Sequence, residues 1–342
     1  RPPFLTKSRS WGEDQIRTMS LLVVGSVAYD SVNTGTGRRD DALGGSATYF
    51  SISSSYFTRV SLVAVVGDDF APDDIAMLDS HEVDMAGLER RDGKTFRWSG
   101  VYDTDDVNTR RTLDTQLNVF ANFTPVLNAH HRRQPYVFLA NIDPDLQLSV
   151  LGQLEGKPKL VALDTMNFWI ERKLNSLLRV IKEIDVLFID ENEIRDLASE
   201  SNIVKATQSI MNIGPSVVVV KRGEHGAMLF HCNSIFTAPA YPLEEIVDPT
   251  GAGDSFAGGF LGYLAASRDL SLDAFRRATV LGSVMGSFAV ESFSLERTSS
   301  LTSGEIEERF RSFASLSLFS PLGDGETLPM RCGPRGRKRR GI

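Results

Sequence analysis

Six short runs of apolar residues recur along the chain, with helix-length segments between them. They span residues 21–25, 60–67, 136–140, 160–164, 186–190 and 217–221. Strands made from such runs are apolar on both faces, so they belong in a parallel sheet that is covered by helices on each side. The alternation of strand and helix therefore predicts an α/β fold with a doubly wound, mainly parallel sheet.

One region departs from this pattern. Residues 93–120 contain half-polar stretches on either side of a polar turn, which is typical of antiparallel strands with one solvated face. We expect a small sheet over one end of the main domain, with strands within residues 28–43 and 93–120. It would serve as a lid or as an edge-pairing interface, and a hairpin without a specific role is the alternative.

Composition narrows the class of protein. The chain has 342 residues, with 37 Lys and Arg against 44 Asp and Glu, a formal net charge of -7. Two cysteines, Cys232 and Cys332, are too few for a disulfide framework or a structural zinc site. The acidity argues against nucleic acid as a partner, and no apolar run is long enough to span a membrane. We therefore expect a cytoplasmic enzyme or binding protein.

The two ends of the chain are distinct from its body. Residues 1–19 lack apolar periodicity and the apolar core of a secretory signal, so we expect a disordered extension. Residues 321–342 place several arginines among glycine and proline, where like charges repel, and we expect a disordered basic tail. Residues 20–320 are then one domain with its small lid sheet.

The most informative segment is residues 248–259, which read DPTGAGDSFAGG. A glycine loop here runs into a helix, and the free N–H groups of a helix N-terminus bind anions. Asp254 lies at the junction, where it is either a helix N-cap or a base for a hydroxyl nucleophile beside a bound phosphoryl group. The positive end of the helix should lower the pKa of Asp254.

This segment resembles the second signature of the phosphofructokinase-B/ribokinase family of carbohydrate kinases. GGSATYF at residues 44–50 resembles the first signature, and the resemblance covers roughly residues 20–315. It implies a ribokinase-like fold, ATP as phosphoryl donor and Mg²⁺. It also implies that Asp254 is the catalytic base, and that its backbone forms an anion hole with Gly251, Ala252 and Gly253.

The resemblance further implies a substrate-binding side and a metal site. The expected substrate contacts are Asp30, Gly44, Gly45, Tyr49 and Asn167. Tyr49 lies where the family often has Asn, so no sugar specificity transfers from relatives, and its ring either stacks on substrate or belongs to the core. A monovalent cation such as K⁺ is expected beside the anion hole, bound through Asp248 and Thr250.

The nucleotide side is expected to involve Asp190, Lys221, Gly223, Gly226, Ser283 and Ser287. Asp190 and Glu193 resemble the family's N-x-x-E element with Asp in place of Asn, and Glu193 would organise Mg²⁺ through water. Capping of a helix is the alternative role for Asp190.

The leading functional hypothesis is ATP- and Mg²⁺-dependent phosphorylation of a hydroxymethyl group of a sugar. A nucleoside kinase of the same family is the first alternative, and a non-catalytic regulatory member is the second. The partner is then a small molecule, with neither nucleic acid nor membrane involved. The sequence leaves open whether the lid sheet forms a homodimer.

Overall fold

The computed structural model describes residues 20–103, 109–318 and 320–328. The predicted N-terminal extension, the polar turn at 104–108 and most of the basic tail lie outside these ranges. The strands are β1 Ser20–Val24, β2 Ala28–Thr34, β3 Gly37–Gly44, β4 Arg59–Gly67, β5 Asp84–Arg91, β6 Phe96–Tyr102, β7 Arg110–Gln116, β8 Tyr136–Leu139, β9 Leu160–Asp164, β10 Val186–Asp190, β11 Val217–Lys221, β12 Ala227–His231 and β13 Ser234–Ala238.

The helices of the described residues alternate with these strands. They are α1 Ser46–Ser55, α2 Pro72–Ser80, α3 Pro144–Leu151, α4 Asn167–Arg172, α5 Leu174–Ile181, α6 Glu191–Ala198, α7 Ile203–Met211, α8 Ala252–Ser267, α9 Leu272–Ala289 and α10 Ser303–Ser317.

The larger sheet has the strand order β13-β12-β11-β10-β9-β8-β1-β4-β5. The pairs from β5 to β11 are parallel, and β12 and β13 are added antiparallel at one edge. All six apolar runs in the sequence form parallel strands of this sheet. The predicted doubly wound, mainly parallel fold is therefore confirmed.

Alternate side chains of each buried strand point to different cores. Leu21 and Val23 of β1 face a core that includes residues of α1, α2, α8 and α9. Leu22 and Val24 face a second core, which includes residues of α3 to α7. Each fully buried side chain of this kind contributes about 1.5–3 kcal/mol, so covering both faces of the sheet stabilises it strongly.

A separate four-stranded sheet has the order β3-β2-β6-β7. The outer pairs are antiparallel, whereas the central strands β2 and β6 are parallel. Asp69, in the turn after β4, accepts hydrogen bonds from the N–H and the hydroxyl of Thr95, each at 2.7 Å. The Tyr29 hydroxyl donates to Asp74 of α2 at 2.6 Å, so both central strands are tied to the main domain.

Within residues 20–103, 109–318 and 320–328, no helix is both long enough and apolar enough to cross a bilayer.

Helix α8 packs at backbone distance against its neighbours because its sequence is rich in glycine. A Cβ added at Gly258 would lie 2.7 Å from the Phe50 carbonyl oxygen and from the Ser53 Cβ of α1. A Cβ at Gly259 would lie 2.6 Å from the Met285 side chain of α9. These contacts hold α8 close to both helices, and they fix where its N-terminus lies.

We expect Gly258→Ala to lower the free energy of unfolding by about 1–3 kcal/mol, because the added methyl group overlaps α1. Urea denaturation measures this change. The matched control is Gly304→Ala in α10, where the nearest atom to the new Cβ is 3.9 Å away. That variant should be neutral or more stable by up to about 1 kcal/mol. Equal losses in both variants would contradict the close packing of α8.

Candidate active site

Three neighbouring strands of the larger sheet end side by side, and each ends on a charged residue. Asp164 ends β9, Asp190 ends β10 and Lys221 ends β11. The carboxyl ends of parallel strands share one edge of a sheet, which is where ligands bind in open α/β folds. Helix α8 begins beside this edge. A Cβ added at Gly253, in its first turn, would lie only 3.0 Å from the Lys221 Nζ.

The loop before α8 depends on the conformation of Gly251. This residue is the N-cap of α8 with a φ of 76°, in the left-handed region that favours glycine. A Cβ there would lie 2.4 Å from the ring of Tyr49. Glycine is therefore required both by the backbone turn and by the ring packed against it.

The first turn of α8 presents N–H groups that have no partner within the helix. The Ser255 N–H donates to the Gly251 carbonyl at 2.8 Å and begins the helical pattern. The Gly253 and Asp254 N–H groups precede it, so no carbonyl of the helix is available to them. The Ala252 N–H donates to the Pro249 carbonyl at 3.3 Å. The Ala252 N–H, which was predicted to be part of the anion hole, is thus partly engaged by a carbonyl of the loop itself.

Asp248 and Thr250 shape this loop from inside. Asp248 is 1% exposed, and its carboxylate accepts the Thr250 N–H at 2.9 Å. The Thr250 hydroxyl donates to the Tyr102 hydroxyl at 3.1 Å, which joins the loop to β6. Burial raises the pKa of Asp248. Both residues predicted to bind a cation therefore have roles in holding the loop.

Asp254 is the third residue of α8, and its side chain does not cap the helix. Burial raises its pKa well above the ordinary 3.8, and the charge of Asp164 raises it further. Lys221 and Arg110 lower it, but by less. The expectation of a lowered pKa is thus corrected, because loss of water around the carboxyl outweighs the helix end. A raised pKa suits a general base near neutral pH.

Asp30 lies at a second point of the same cleft. It is 6% exposed on β2, and burial raises its pKa to about 7 although the Gly45 N–H lowers it. A Cβ at Gly44 would lie 2.0 Å from an Asp30 carboxylate oxygen. Gly45 has a φ of 92° and is the N-cap of α1. Both glycines are therefore needed to bring the backbone up to the Asp30 carboxylate.

Tyr49 lies between these two parts of the cleft. It is 2% exposed, and its pKa is raised by burial and then by the charges of Asp30 and Asp248. Its ring is covered by Gly251. This burial favours the core role for the Tyr49 ring, which the sequence left open, over stacking on a substrate.

Asp190, Glu193 and Asn167 form one hydrogen-bonded group at the start of α6. The Asp190 side chain accepts the Asn192 N–H at 2.7 Å, and Glu193 accepts the Asp190 N–H at 3.0 Å, a capping box. Glu193 also accepts the Asn167 N–H at 3.2 Å. Asp190 is therefore a helix cap, and Asn167 lies with Glu193.

The carboxylates of this group fit a hydrated metal ion. Burial raises the pKa of Glu193 to about 7, although Lys221 lowers it. In the described ranges, no three His, Cys, Asp or Glu side chains converge as an all-protein metal site. Mg²⁺ commonly keeps several waters and binds through one or two carboxylates plus phosphates. Glu193 and Asp190 fit that mode of binding.

The remaining residues that were predicted to bind the nucleotide differ in the contacts they already make within the protein. A Cβ at Gly226 would lie 2.1 Å from the Ala238 carbonyl oxygen, so Gly226 and Gly223, with positive φ angles, shape a tight turn after β11. The Ser287 hydroxyl donates to the Val284 carbonyl and accepts from Arg309. The buried Ser283 hydroxyl has no protein partner within the described ranges, so it is available to a ligand.

Two residues outside the predicted set also belong to this cleft. Asp164 is 3% exposed and accepts two hydrogen bonds from Lys221. Arg110, on the exposed strand β7, hydrogen-bonds to Tyr102 and lowers the pKa of both Asp254 and Asp30. Their charge at strand ends is visible in the sequence, but the pairing that brings them to the cleft is not.

The fold and this cleft together define a kinase of the ribokinase class. A glycine loop and the N-terminus of α8 lie at the edge of a doubly wound sheet, next to a separate small sheet. The chain belongs to the pfkB family of carbohydrate kinases, whose model matches residues 19–289.

Relatives of this chain act on different acceptors. It is 30% identical to a cytidine kinase of Thermococcus kodakarensis over 74% of this chain and 91% of that protein. It is 24% identical to an inositol 3-kinase of Arabidopsis thaliana over 85% of this chain and 78% of that protein. A fructokinase of Vibrio cholerae O395, solved with fructose, ADP and calcium, shares the fold with a TM-score of 0.70 and 18% identity, over 86% of this chain and 99% of that one.

The buried Asp30 carboxyl makes stability depend on pH. Because its native pKa of about 7 exceeds the ordinary 3.8, the native state holds the proton more tightly, and stability falls as pH rises through this window. We expect Asp30→Asn to unfold with a free energy larger by about 1–3 kcal/mol at pH 8. The gain should shrink towards pH 4, where the native carboxyl is neutral. A gain that is equal at both pH values in urea denaturation would contradict this assignment.

Proposed function

We propose that the protein transfers the γ-phosphoryl group of ATP to a hydroxyl group of a sugar. The observation that carries this proposal is the position of Asp254. It lies in the first turn of α8, next to free N–H groups, with Asp30 in the same cleft and Lys221 beside Gly253. A base, an anion site and a polar acceptor site thus meet at one point, as in-line phosphoryl transfer requires.

The acceptor binds on the Asp30 side. An ionised carboxylate only accepts hydrogen bonds, so Asp30 is matched to the hydroxyl groups of a polyol. The charge of Asp248 raises the pKa of Asp30, and the charge of Asp30 raises the pKa of Asp254. All three carboxylates also raise the pKa of Tyr49. This concentration of negative charge makes the cleft unfavourable for an anionic acceptor. A neutral sugar or polyol avoids this repulsion.

Transfer then requires one proton movement. Asp254 accepts the proton of the acceptor hydroxyl while its oxygen forms a bond to the γ-phosphorus, and the bond from that phosphorus to the bridging oxygen of ADP breaks. The Gly253 and Asp254 N–H groups, with Gly251 setting the loop, hold the negative oxygens of the transferred group. Glu193, next to Asp190, would hold Mg²⁺ through water, and the bound ion would supply positive charge that neutralises the phosphates.

We assign the nucleotide to groups other than those on the Asp30 side. The unpartnered Ser283 hydroxyl on α9 and the turn containing Gly223 and Gly226 are the groups we assign to ATP. Ser287, whose hydroxyl is engaged by Arg309, contributes a small side chain there. Asp248 and Thr250 keep residues 248–254, here called the anion loop, in shape, and these two residues would also bind a K⁺ ion beside it.

A nucleoside is the second candidate acceptor. The 30% identity to a cytidine kinase favours it, because that relative covers most of both chains. An acceptor panel of neutral sugars, polyols and nucleosides, read by ADP release, separates the two classes. Turnover that is restricted to nucleosides would replace the sugar in this proposal.

Asp254→Asn should remove phosphoryl transfer while ATP still binds, since the amide keeps the shape but accepts no proton. We expect kcat to fall by about 10²–10⁴-fold, the usual contribution of general-base catalysis. Asp79→Asn, at an exposed position of α2, is the matched control and should retain full turnover. Undiminished turnover of the Asp254 variant in the ADP-release assay would rule out its role as base.

The small sheet acts as a lid in this proposal. Arg97 of β6 forms ion pairs with Asp69 of the main domain, at 2.8 Å, and with Asp41, and its guanidinium lies 5.1 Å from the Tyr29 ring centroid. These contacts hold the strand that carries Tyr102 towards the anion loop. A closed lid excludes water from the phosphoryl group.

Arg97→Gln should therefore raise the acceptor KM by about 1.4- to 5-fold, equivalent to the 0.2–1 kcal/mol of a partly exposed ion pair. It should also increase ATP hydrolysis in the absence of acceptor. Arg38→Gln, on the same sheet and paired with its neighbour Asp40, is the matched control. If both variants behave as the wild type in initial-rate kinetics, the small sheet is not a lid that Arg97 holds in place.

A further inference from the structure

A buried ion pair spans the end of the central strand β10. Asp164, at the end of β9, accepts from the Lys221 Nζ at 3.0 Å and 2.8 Å through its two oxygens. The side chains are only 5% and 20% exposed. Asp164 pairs with Phe188 of β10 and Lys221 pairs with Asp190, so the ion pair crosses over one strand.

Stability alone does not account for such a pair. Removing two charges from water costs several kcal/mol per ion, and well-packed apolar residues in their place are often as stable. The pair also lies at the edge where the candidate catalytic groups meet, and not in the middle of either core. Its position therefore calls for a role in ligand binding or catalysis.

Lys221 is held against the anion loop. Its Nζ is 3.0 Å from the place that a Cβ of Gly253 would occupy, so a side chain at this position would crowd the ammonium group. An ammonium group has three donor hydrogens, and the two hydrogen bonds of the Nζ to Asp164 leave one. The remaining donor of Lys221 therefore lies beside Gly253, whose N–H is also a donor.

We propose that Asp164 is a positioning residue, which fixes the Lys221 ammonium group beside Gly253 so that its remaining hydrogen contacts the phosphoryl group in transit. The inference rests on the proposed kinase function of the same cleft. A preorganised cation at this point stabilises the charge of the transition state without any rearrangement during the reaction. Without Asp164, the flexible lysine side chain is free to turn towards other carboxylates.

The electrostatics of Asp254 agree with this geometry. Asp164 raises the pKa of Asp254, whereas Lys221 lowers it. Burial works against the charge of Lys221, but Asp164, Glu193 and Asp254 outweigh it and raise the pKa of the ammonium group. The titratable groups that act on Asp254 come from five different elements, and they are Asp30 of β2, Tyr49 of α1, Arg110 of β7, Asp164 of β9 and Lys221 of β11.

The first test compares Asp164→Asn and Lys221→Met in steady-state kinetics. Lys221→Met should lower kcat by roughly 10²–10³-fold, as expected when one transition-state donor is lost. Asp164→Asn, which keeps the shape of the side chain, should lower kcat on the order of 10²-fold through misplacement of the ammonium group. The acceptor KM should stay unchanged in both variants, because the lost contact is made in the transition state.

The second readout is the pH profile of kcat/KM, which reports whether the charges of this pair act on Asp254 in the free enzyme. Its acid limb reports protonation of the base in the free enzyme. Asp164→Asn should shift this limb to lower pH, because a carboxylate that raises the pKa of Asp254 is gone. Lys221→Met should shift it to higher pH, because the cation that lowers this pKa is gone.

The double variant Asp164→Asn with Lys221→Met completes the experiment. If Asp164 acts through Lys221, the double variant should be no slower than Lys221→Met alone. Lys173→Met, which breaks an exposed ion pair with Asp143 and Asp145, is the matched control and should leave both kcat and the pH profile unchanged. Thermal melting of each variant confirms that it folds.

The outcomes separate this inference from the proposed function. Losses of kcat that multiply in the double variant, or acid limbs that coincide with the wild type, would overturn the positioning role of Asp164. In that case wild-type turnover and an inactive Asp254→Asn would still stand for the kinase function. Absence of turnover in the wild type with every acceptor would instead overturn the kinase proposal itself.

Discussion

The start of α8 is the constraint on which the site depends. Gly251 takes a left-handed conformation directly over the Tyr49 ring, and any side chain there would overlap it. Gly258 and Gly259 then hold the helix at backbone distance from α1 and α9. Because the helix cannot slide in this packing, its first N–H groups and Asp254 stay at the edge of the sheet.

The second general property of the site is the free energy lost by burying its ionisable carboxyl groups. Asp30, Glu193 and Asp254 all have raised pKa values, chiefly because burial removes water from their carboxyl groups. Such groups weaken the native state at neutral pH, and proteins commonly accept this cost where it serves activity. Here burial raises the pKa of Asp254, which lies between the Lys221 ammonium group and the N-terminus of α8, so its carboxylate can take up a proton closer to neutral pH.

Much of the fold could be predicted from periodicity, and less of the site. Runs that are apolar on both faces have few alternatives to a buried parallel strand, so the sheet was predictable. The parallel pairing of β2 with β6 joins segments about 70 residues apart, and no local pattern encodes it. The raised pKa of Asp254 and the contact of Asp164 with Lys221 likewise depend on burial and on three strands meeting. A helix N-terminus read in isolation predicted the opposite shift of that pKa.

The central claim is that the anion loop binds the γ-phosphoryl group while Asp254 contacts the acceptor hydroxyl that attacks it. A crystal structure of the protein with an acceptor and a non-hydrolysable ATP analogue tests it most directly. We predict the γ-phosphate on the Gly253 and Asp254 N–H groups and the acceptor hydroxyl oxygen about 2.6–3.2 Å from the Asp254 carboxylate. A γ-phosphate bound away from this loop, or an acceptor hydroxyl out of reach of Asp254, would contradict the account.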